Sequence, residues 1–449
     1  MTGHAKPRAF ILLGGFRVMM RNWLYLTELA ARDLRILVIT SEGWRSTAER
    51  AMARGEWPAS LITETSFVEG EVGLEGAFTA GVIARVLSWR ARYEIAGVFA
   101  VGEMFVEQTG ITADMLGLPS PGLRASRACR SKYLQRAYLP EWSPQVTVIP
   151  AEDRFLADLA AVRFPSVLKP AGRRSSSGVR IVSDEAELRA SLGSYPAGET
   201  LLAEDCVTGP EFSVETLVKD GRIRFESLTR KGTTEGEGPF FVELSHTVPA
   251  PDDPANARLL AANREIIERL GFADGIAHAE LRLAPGGRVM LMEIAARTPG
   301  DGLMPLYHLA TGQPLEPEVI KITLGEDICY PQPKRCSRQV YLPASTGTLS
   351  DVRVSYPGFG EPAWSAQGEA WPEIKPGHPD DPPALRAVLV LKQRGEALRP
   401  FTESDDRVVT YLIDARSIAE LDELDAAVSG GIELITDEER KGEARHVGS

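Results

Sequence analysis

Two glutamates on either side of a turn are the residues in this sequence best placed to do chemistry. They lie in Ala277–Arg297, AHAELRLAPGGRVMLMEIAAR, where two largely apolar runs flank the turn-forming Ala284-Pro-Gly-Gly287. With Pro285-Gly286 as the tip of a hairpin, Leu283 faces Arg288 and Glu280 faces Leu291. Side chains alternate faces with period two, so Glu293 shares the face of Glu280. The two are then diagonal cross-strand neighbours, about 7–8 Å apart at the backbone. Carboxylates so placed can converge on a hard divalent cation, and Mg²⁺ held by one or two carboxylates plus substrate phosphates suits them. The same face continues through Ala295 to Arg297, which adds a guanidinium just past the cation. An exposed acidic face is the plainer reading of such a hairpin. The apolar Val289-Met-Leu-Met292 leading to Glu293 argues instead for a buried site.

Two more segments carry polar groups in suggestive order. Val167-Leu-Lys169-Pro170 runs into a Gly/Ser-rich loop containing Ser175, Ser176, Ser177 and Gly178, followed by Val179-Arg-Ile-Val182. That is a flexible hairpin whose N–H groups and hydroxyls can fold over phosphates, with Lys169 supplying charge. By itself a basic serine loop is more often simply solvated. Leu201–Val207, then Thr208-Gly-Pro-Glu211, reads as strand, sharp turn, strand. Such a hinge can edge an adenine with its backbone while an acid receives ribose hydroxyls, although an ordinary strand connection has the same pattern.

The elements that must position these groups follow from periodicity. Ala9–Leu13, Arg35–Thr40 and Gly97–Val101 are buried strands, and Asn22–Arg32 between the first two has helical spacing. Strand–helix–strand alternation predicts a parallel sheet, whose carboxyl edge would hold Gly14, Gly15 and Glu103. Residues 103–140 read as helical, and about 147–324 as mixed antiparallel strands and helices. Lys219-Asp-Gly221 is a strong hairpin signal. Tyr356–Pro383 is a proline-rich excursion, and the end of the chain reads as a small α+β unit. The expected divisions are 1–122, 123–330 with a lid subdomain at about 145–205, and 331–449.

Composition supports this and removes alternatives. The chain has 449 residues, 43% hydrophobic and 25% charged, so it can bury substantial cores. Fifty basic against 62 acidic residues give a net charge of −12, which argues against a nucleic-acid binder. No apolar run approaches the roughly 20 residues that span a bilayer. The run Ala9–Phe16 ends at Arg17 without a cleavage site and reads as a strand, not a signal peptide. Cys129, Cys206, Cys329 and Cys336 form no metal pattern and suit a reducing cytoplasm. GxGxxG, a Gly-Lys phosphate loop, HExxH and GxSxG are all absent.

Lys132, Lys169, the serine–glycine loop, EDCVTGPEFSVE and the Glu280/Glu293/Arg297 set together resemble the ATP-grasp superfamily. Phe240-Phe-Val-Glu-Leu-Ser-His246-Thr-Val-Pro249 and Glu293-Ile-Ala-Ala-Arg-Thr-Pro-Gly-Asp301 are similar to its L-amino acid ligase and carnosine synthase branch, built on a biotin carboxylase-like architecture. The resemblance implies α/β and α+β parts in three: a parallel-sheet N-terminal domain, a central ATP-grasp domain with a mobile lid, and a C-terminal α+β domain. It implies a cytoplasmic ligase that joins a small-molecule carboxylate to an amine using ATP and Mg²⁺, or Mn²⁺ in its place. Relatives of the branch are often homodimers. Lys132 and Lys169 would contact phosphates, with Ser175–Gly178 closing over them. The backbones of Glu204 and Val207 would meet adenine and Glu211 the ribose. Glu280 and Glu293 would hold the metal, and Arg297 would steady the transferred phosphoryl. Glu243 and His246, in a lid-like loop, would face the carboxylate or amine, with Gly300 and Asp301 beside them. The family usually carries Asn where this chain has Ala295, which removes one metal ligand. Carboxylation through carboxyphosphate and ATP binding without turnover remain as alternatives.

Overall fold

The computed structural model describes residues 5–173, 177–234, 242–344, 346–365 and 370–437. It opens with four parallel strands, β1 (Arg8–Gly14), β2 (Arg35–Ser41), β3 (Glu64–Val68) and β4 (Glu94–Val101), in the order β3-β2-β1-β4. The unbroken apolar runs of β1 and β2 are buried on both faces. Phe10, Leu12, Ile36 and Val38 enter one core, and Ile11, Leu13, Leu37 and Ile39 the other. Each such side chain contributes about 1.5–3 kcal/mol by leaving water. The helix expected from Asn22 starts earlier, as Phe16–Arg21, and resumes as Leu24–Ala31. Asn22 makes the break, because its side-chain amide donates to the Val18 carbonyl at 2.8 Å. Strand β3 was not foreseen, since only Phe67 and Val68 of its five residues are buried.

A small antiparallel sheet follows: β5 (Val146–Ile149), β6 (Ser166–Pro170), β7 (Arg180–Val182) and β8 (Leu201–Asp205), in the order β5-β8-β6-β7. It has its own core of Ile149, Leu168, Val182, Leu201 and Ala203 under the helix Glu185–Leu192.

The largest sheet has nine strands. From the central part of the chain come β9 (Glu211–Lys219), β10 (Arg222–Thr233), β11 (Glu243–Val248), β12 (Gly275–Leu283) and β13 (Val289–Ala295). After them come β14 (Cys336–Leu342), β15 (Gly347–Val354), β16 (Ala363–Trp364), β17 (Ala384–Val390), β18 (Ala397–Leu398), β19 (Val409–Ala415) and β20 (Ile432–Thr436). The order is β13-β12-β9-β10-β11-β14-β19-β17-β16, with β18-β15-β20 as a separate three-stranded sheet. Asp220 and Gly221, both at positive φ, close the expected β9–β10 hairpin. The terminal α+β unit is not detached: β14 pairs with β11 and carries the central sheet into the C-terminal part, covering what would otherwise be an open edge. All four cysteines are free thiols. Among the described residues no helix is long and apolar enough to cross a membrane.

Candidate active site

Alternation along β9, β10 and β12 gives the large sheet one apolar and one polar face. Phe212, Val214, Leu228, Ala277, Ala279 and Leu281 pack toward the helix Asn256–Leu270. On the other face, register sets Arg282, Glu211, Lys231 and His246 side by side across four strands. This polar face and the small β5–β8 sheet enclose a cavity of about 230 Å³. Of the residues picked out in the sequence, Lys132, Lys169, Ser177, Glu204, Val207, Glu211, Glu243, His246, Glu280, Glu293, Arg297, Gly300 and Asp301 all line it. Gly178 does not; its carbonyl accepts the Tyr195 hydroxyl at 2.7 Å. Ser175 and Ser176 lie outside the described residues.

Glu280 and Glu293 are closer in register than the hairpin rule predicts. The turn takes five residues, Ala284–Arg288, so Leu283 pairs with Val289. A bulge at Met292 then brings Glu293 directly opposite Glu280 instead of diagonal to it. Glu280 is 2.8 Å from Lys231 Nζ and 3.4 Å from His278 Nε2, and Glu293 is 3.1 Å from Lys132 Nζ. Burial alone would raise the Glu280 carboxyl, but Lys231 and His278 outweigh it and hold the group well below its ordinary range. His278 in turn leans on buried Glu215 at 2.7 Å. Burial disfavours its charge, yet Glu215 and Glu280 push its pKa up to about 9. Among the described residues no group of three or more acids, histidines and cysteines could hold a metal. Two opposed carboxylates, each balanced by an amino group that can shift to phosphate, nevertheless suit a hard cation whose shell is completed by substrate oxygens and water.

On the small sheet, Lys169 Nζ is 2.6 Å from Glu204, which also takes the guanidinium of Arg136 at 2.7 and 3.2 Å. Burial lowers Lys169 to about 8, since Arg136 already claims much of the charge on Glu204. Burial acts in the opposite sense on Glu204, but Arg136 and Lys169 prevail and bring it to about 2. Here the expectation needs correction. Strand β8 is flanked by β5 and β6 at Glu204, and its carbonyl accepts the Ser166 hydroxyl at 2.9 Å. Glu204 therefore presents a clamped carboxylate, not a backbone edge. Glu211 is likewise engaged, at 2.7 Å from Lys231 and 2.8 Å from Arg282.

At the opposite end, Arg297 is fixed by Glu103 at 2.7 Å and donates to the Thr298 carbonyl at 2.8 Å. Glu243 and His246 stand on β11, not in a loop, because β10 and β14 pair with that segment on both sides. His246 Nε2 meets Asp301 at 2.9 Å, and Asp301 also receives Arg407 at 2.6 and 3.2 Å. Arg407 lies over the Tyr341 ring, and Ser404 Oγ donates to Glu243 at 2.9 Å.

The sequence matches the family described as ATP-grasp domain over residues 162–305, the stretch that contains both glutamates and most of the polar face. A crystal structure of an L-amino acid ligase from Bacillus licheniformis aligns with 97% of this chain and 100% of its own, with a TM-score of 0.71 and 20% identity. This is an ATP-grasp-domain protein related to the L-amino acid ligases. The alanine–anticapsin ligase of Bacillus subtilis is 26% identical over 250 residues, 47% of this chain and 52% of that one. An uncharacterized protein of Sinorhizobium fredii is 29% identical over 292 residues, 60% of this chain and 59% of its own length. The matched stretches thus span about half to three-fifths of these curated relatives. The three-part ATP-grasp fold is the one anticipated, a parallel N-terminal sheet followed by antiparallel central and C-terminal sheets.

Several cavity residues of this ATP-grasp protein were not singled out beforehand. Lys231 is the hub, 1% exposed and reaching Glu211, Glu280 and Glu243 at 2.7, 2.8 and 3.4 Å. Burial opposes its charge, but the three carboxylates keep it protonated well above the ordinary lysine range. Arg282 shares the face of Glu280 by simple alternation, a signal the sequence did contain. Ser404 and Arg407 come from the C-terminal part, and nothing local marks them.

Proposed function

We propose that the chain is an ATP-dependent carboxylate–amine ligase, acting on amino acids or small carboxylic acids and releasing ADP and phosphate. The observation that carries this reading is the opposition of Glu280 and Glu293 in one cavity with Lys132, Lys169 and Arg297. A carboxylate is a poor acyl donor because its leaving group would be oxide. When its oxygen attacks the γ-phosphorus and the bond to the β-phosphate oxygen breaks, ADP departs and an acyl phosphate remains. The amine nitrogen then adds to the acyl carbon, phosphate leaves, and the surplus proton goes to solvent or a nearby base.

The protein's part is to hold reactants in line, neutralise phosphate charge and keep water from the acyl phosphate. Lys132 and Lys169 supply positive charge where the small sheet meets the large one. Arg297, braced by Glu103, offers a rigid guanidinium to the transferred group. Mg²⁺, which Glu280 and Glu293 would hold, adds charge neutralisation when bound. His246 and Glu243 face the carboxylate or amine, and the β5–β8 sheet serves as the lid.

The test is product identity. Purified protein with ATP and Mg²⁺ is expected to release ADP only when an acid and an amine are both present; release of AMP contradicts the proposal. Ala295, which lines the cavity where the family usually carries Asn, favours one rival, an ATP-binding module without turnover. Tight ATP binding with no phosphate released across a broad panel of amino acids and acids would support that rival.

A further inference from the structure

The outer side of the hinge that follows β8 carries a second cavity, at about 570 Å³ larger than the main one. That size lies within the roughly 300–1,000 Å³ of small-molecule sites. Three segments enclose it. Residues 140–145 lead into β5, residues 205–208 leave β8, and the turn before β13 supplies Ala284, Pro285 and Arg288. The Leu291 N–H donates to the Trp142 carbonyl at 2.7 Å and ties the first of these to the large sheet. Pro144, Asp205 and Val207 line both cavities, so the hinge is a partition with a face on each.

Guanidinium groups dominate the polar part of this wall. Arg136, Arg163 and Arg288 line it against a single carboxylate, Asp205. Arg163 pairs with Asp205. Arg136 is the buried one, its side chain only 1% exposed. Its Nε and Nη2 donate to Glu204 and Nη2 also to the Met292 carbonyl, while Nη1 is buried without a hydrogen-bond partner. Leaving such a donor unsatisfied costs about 1–3 kcal/mol. Arg288 stands exposed and makes no ion pair among the described residues. Each guanidinium carries five N–H donors, more than one aspartate can satisfy. Pro144, Val207, Pro285 and Met290 give the same cavity an apolar side.

We propose that this cavity is a second ligand site, and that it takes a small molecule with a phosphate monoester on an apolar body. The three arginines come from the helix Lys132–Tyr138, from the segment before β6 and from the β12–β13 turn, so their donors need not share one plane. A tetrahedral phosphate offers oxygens to several such forks, whereas a planar carboxylate serves one. The apolar side covers the body of the molecule. Neither Arg163 nor Arg288 lines the main cavity, and the site stands whether or not the chain is a ligase.

The experiment uses the full chain with its main cavity filled by a saturating non-hydrolysable ATP analogue and Mg²⁺. Phenyl phosphate, inorganic phosphate and benzoate are titrated by calorimetry. Phenyl phosphate is expected to bind once per chain with a Kd below about 1 mM. It should bind at least about fivefold more tightly than either other probe, because it alone combines the tetrahedral anion with an apolar ring. Arg288→Gln and Arg163→Gln, both changes to exposed side chains, are each expected to weaken it about tenfold, the lower end for a charge-assisted hydrogen bond. Absence of binding, a comparison probe as tight as phenyl phosphate, or a titration unchanged in either variant overturns the proposal. The comparison of three probes on the wild-type protein decides the matter even if a variant fails to fold. Should the ATP analogue itself not bind, the nucleotide reading fails, while dependence on Arg163 and Arg288 still places phenyl phosphate outside the main cavity.

Discussion

The two ends of the cavity are wired differently. At the Lys169 end the charged side chains are paired, with Lys231 among three carboxylates and Glu204 held by Arg136 and Lys169, although Arg136 Nη1 is left without a partner. At the Asp301 end polar atoms are left over, namely Arg21 Nε, Glu316 Oε2 and His246 Nδ1. A closed network fixes geometry before any ligand arrives and gives the same answer for every turnover. An open one waits for groups that the substrate brings. Such a division suits the proposed ligase, in which one nucleotide is constant and the other substrates are set by what completes the far end.

Substitutions can break or sharpen this contrast. The largest effect is expected from Glu293→Gln or Glu280→Gln, which removes half of the proposed cation-holding pair and should lower ADP formation by on the order of 10³-fold, read in a steady-state assay. Lys231→Met should cost about 1–3 kcal/mol of stability in denaturant unfolding, because it removes the cation shared by three carboxylates and leaves Glu211 to Arg282, Glu280 to His278 and Glu243 to Ser404. Arg21→Gln should change stability by less than about 1 kcal/mol, since it strands nothing; equal losses for the two would erase the distinction between the ends. Glu204, held at about 2 against its ordinary 4.5, stabilises the fold above about pH 4.5 and loses that contribution as pH falls through about 2. The amount is on the order of 3 kcal/mol. Unfolding measured from pH 6 to 2 should therefore slope less steeply in Glu204→Gln. The smallest effect is expected from Ala295→Asn, which offers one more oxygen beside Glu293 and should lower the half-saturating Mg²⁺ concentration by about two- to fivefold.

What the sequence revealed of this site was local in origin. Glu280, Glu293 and Arg297 could be placed on one face because a single hairpin and period-two alternation suffice. Even there the register slipped, since neither the five-residue turn nor the bulge at Met292 leaves a compositional mark. Lys231 escaped notice for a different reason. It matters because β10 sets it against Glu211 while β12 sets Glu280 nearby, and that pairing is a property of the sheet, not of any segment. Arg407 is further removed, arriving from beyond the excursion to meet Asp301. The parallel strands β1 and β2 were plain because burial on both faces demands unbroken apolar runs, whereas half-exposed β3 has none. Glu243 and His246 looked like loop residues from their glycine-rich approach, and only pairing with β10 and β14 makes that segment a strand.

The most direct measurement of the central claim follows oxygen. A substrate acid labelled with ¹⁸O in both carboxylate oxygens is incubated with ATP, Mg²⁺ and an amine, and the released phosphate is analysed by mass spectrometry. One labelled oxygen per phosphate is expected, carried over when the acyl phosphate is opened by the amine, with the other retained in the amide. Unlabelled phosphate accompanying amide formation, or label recovered in AMP, would contradict the account.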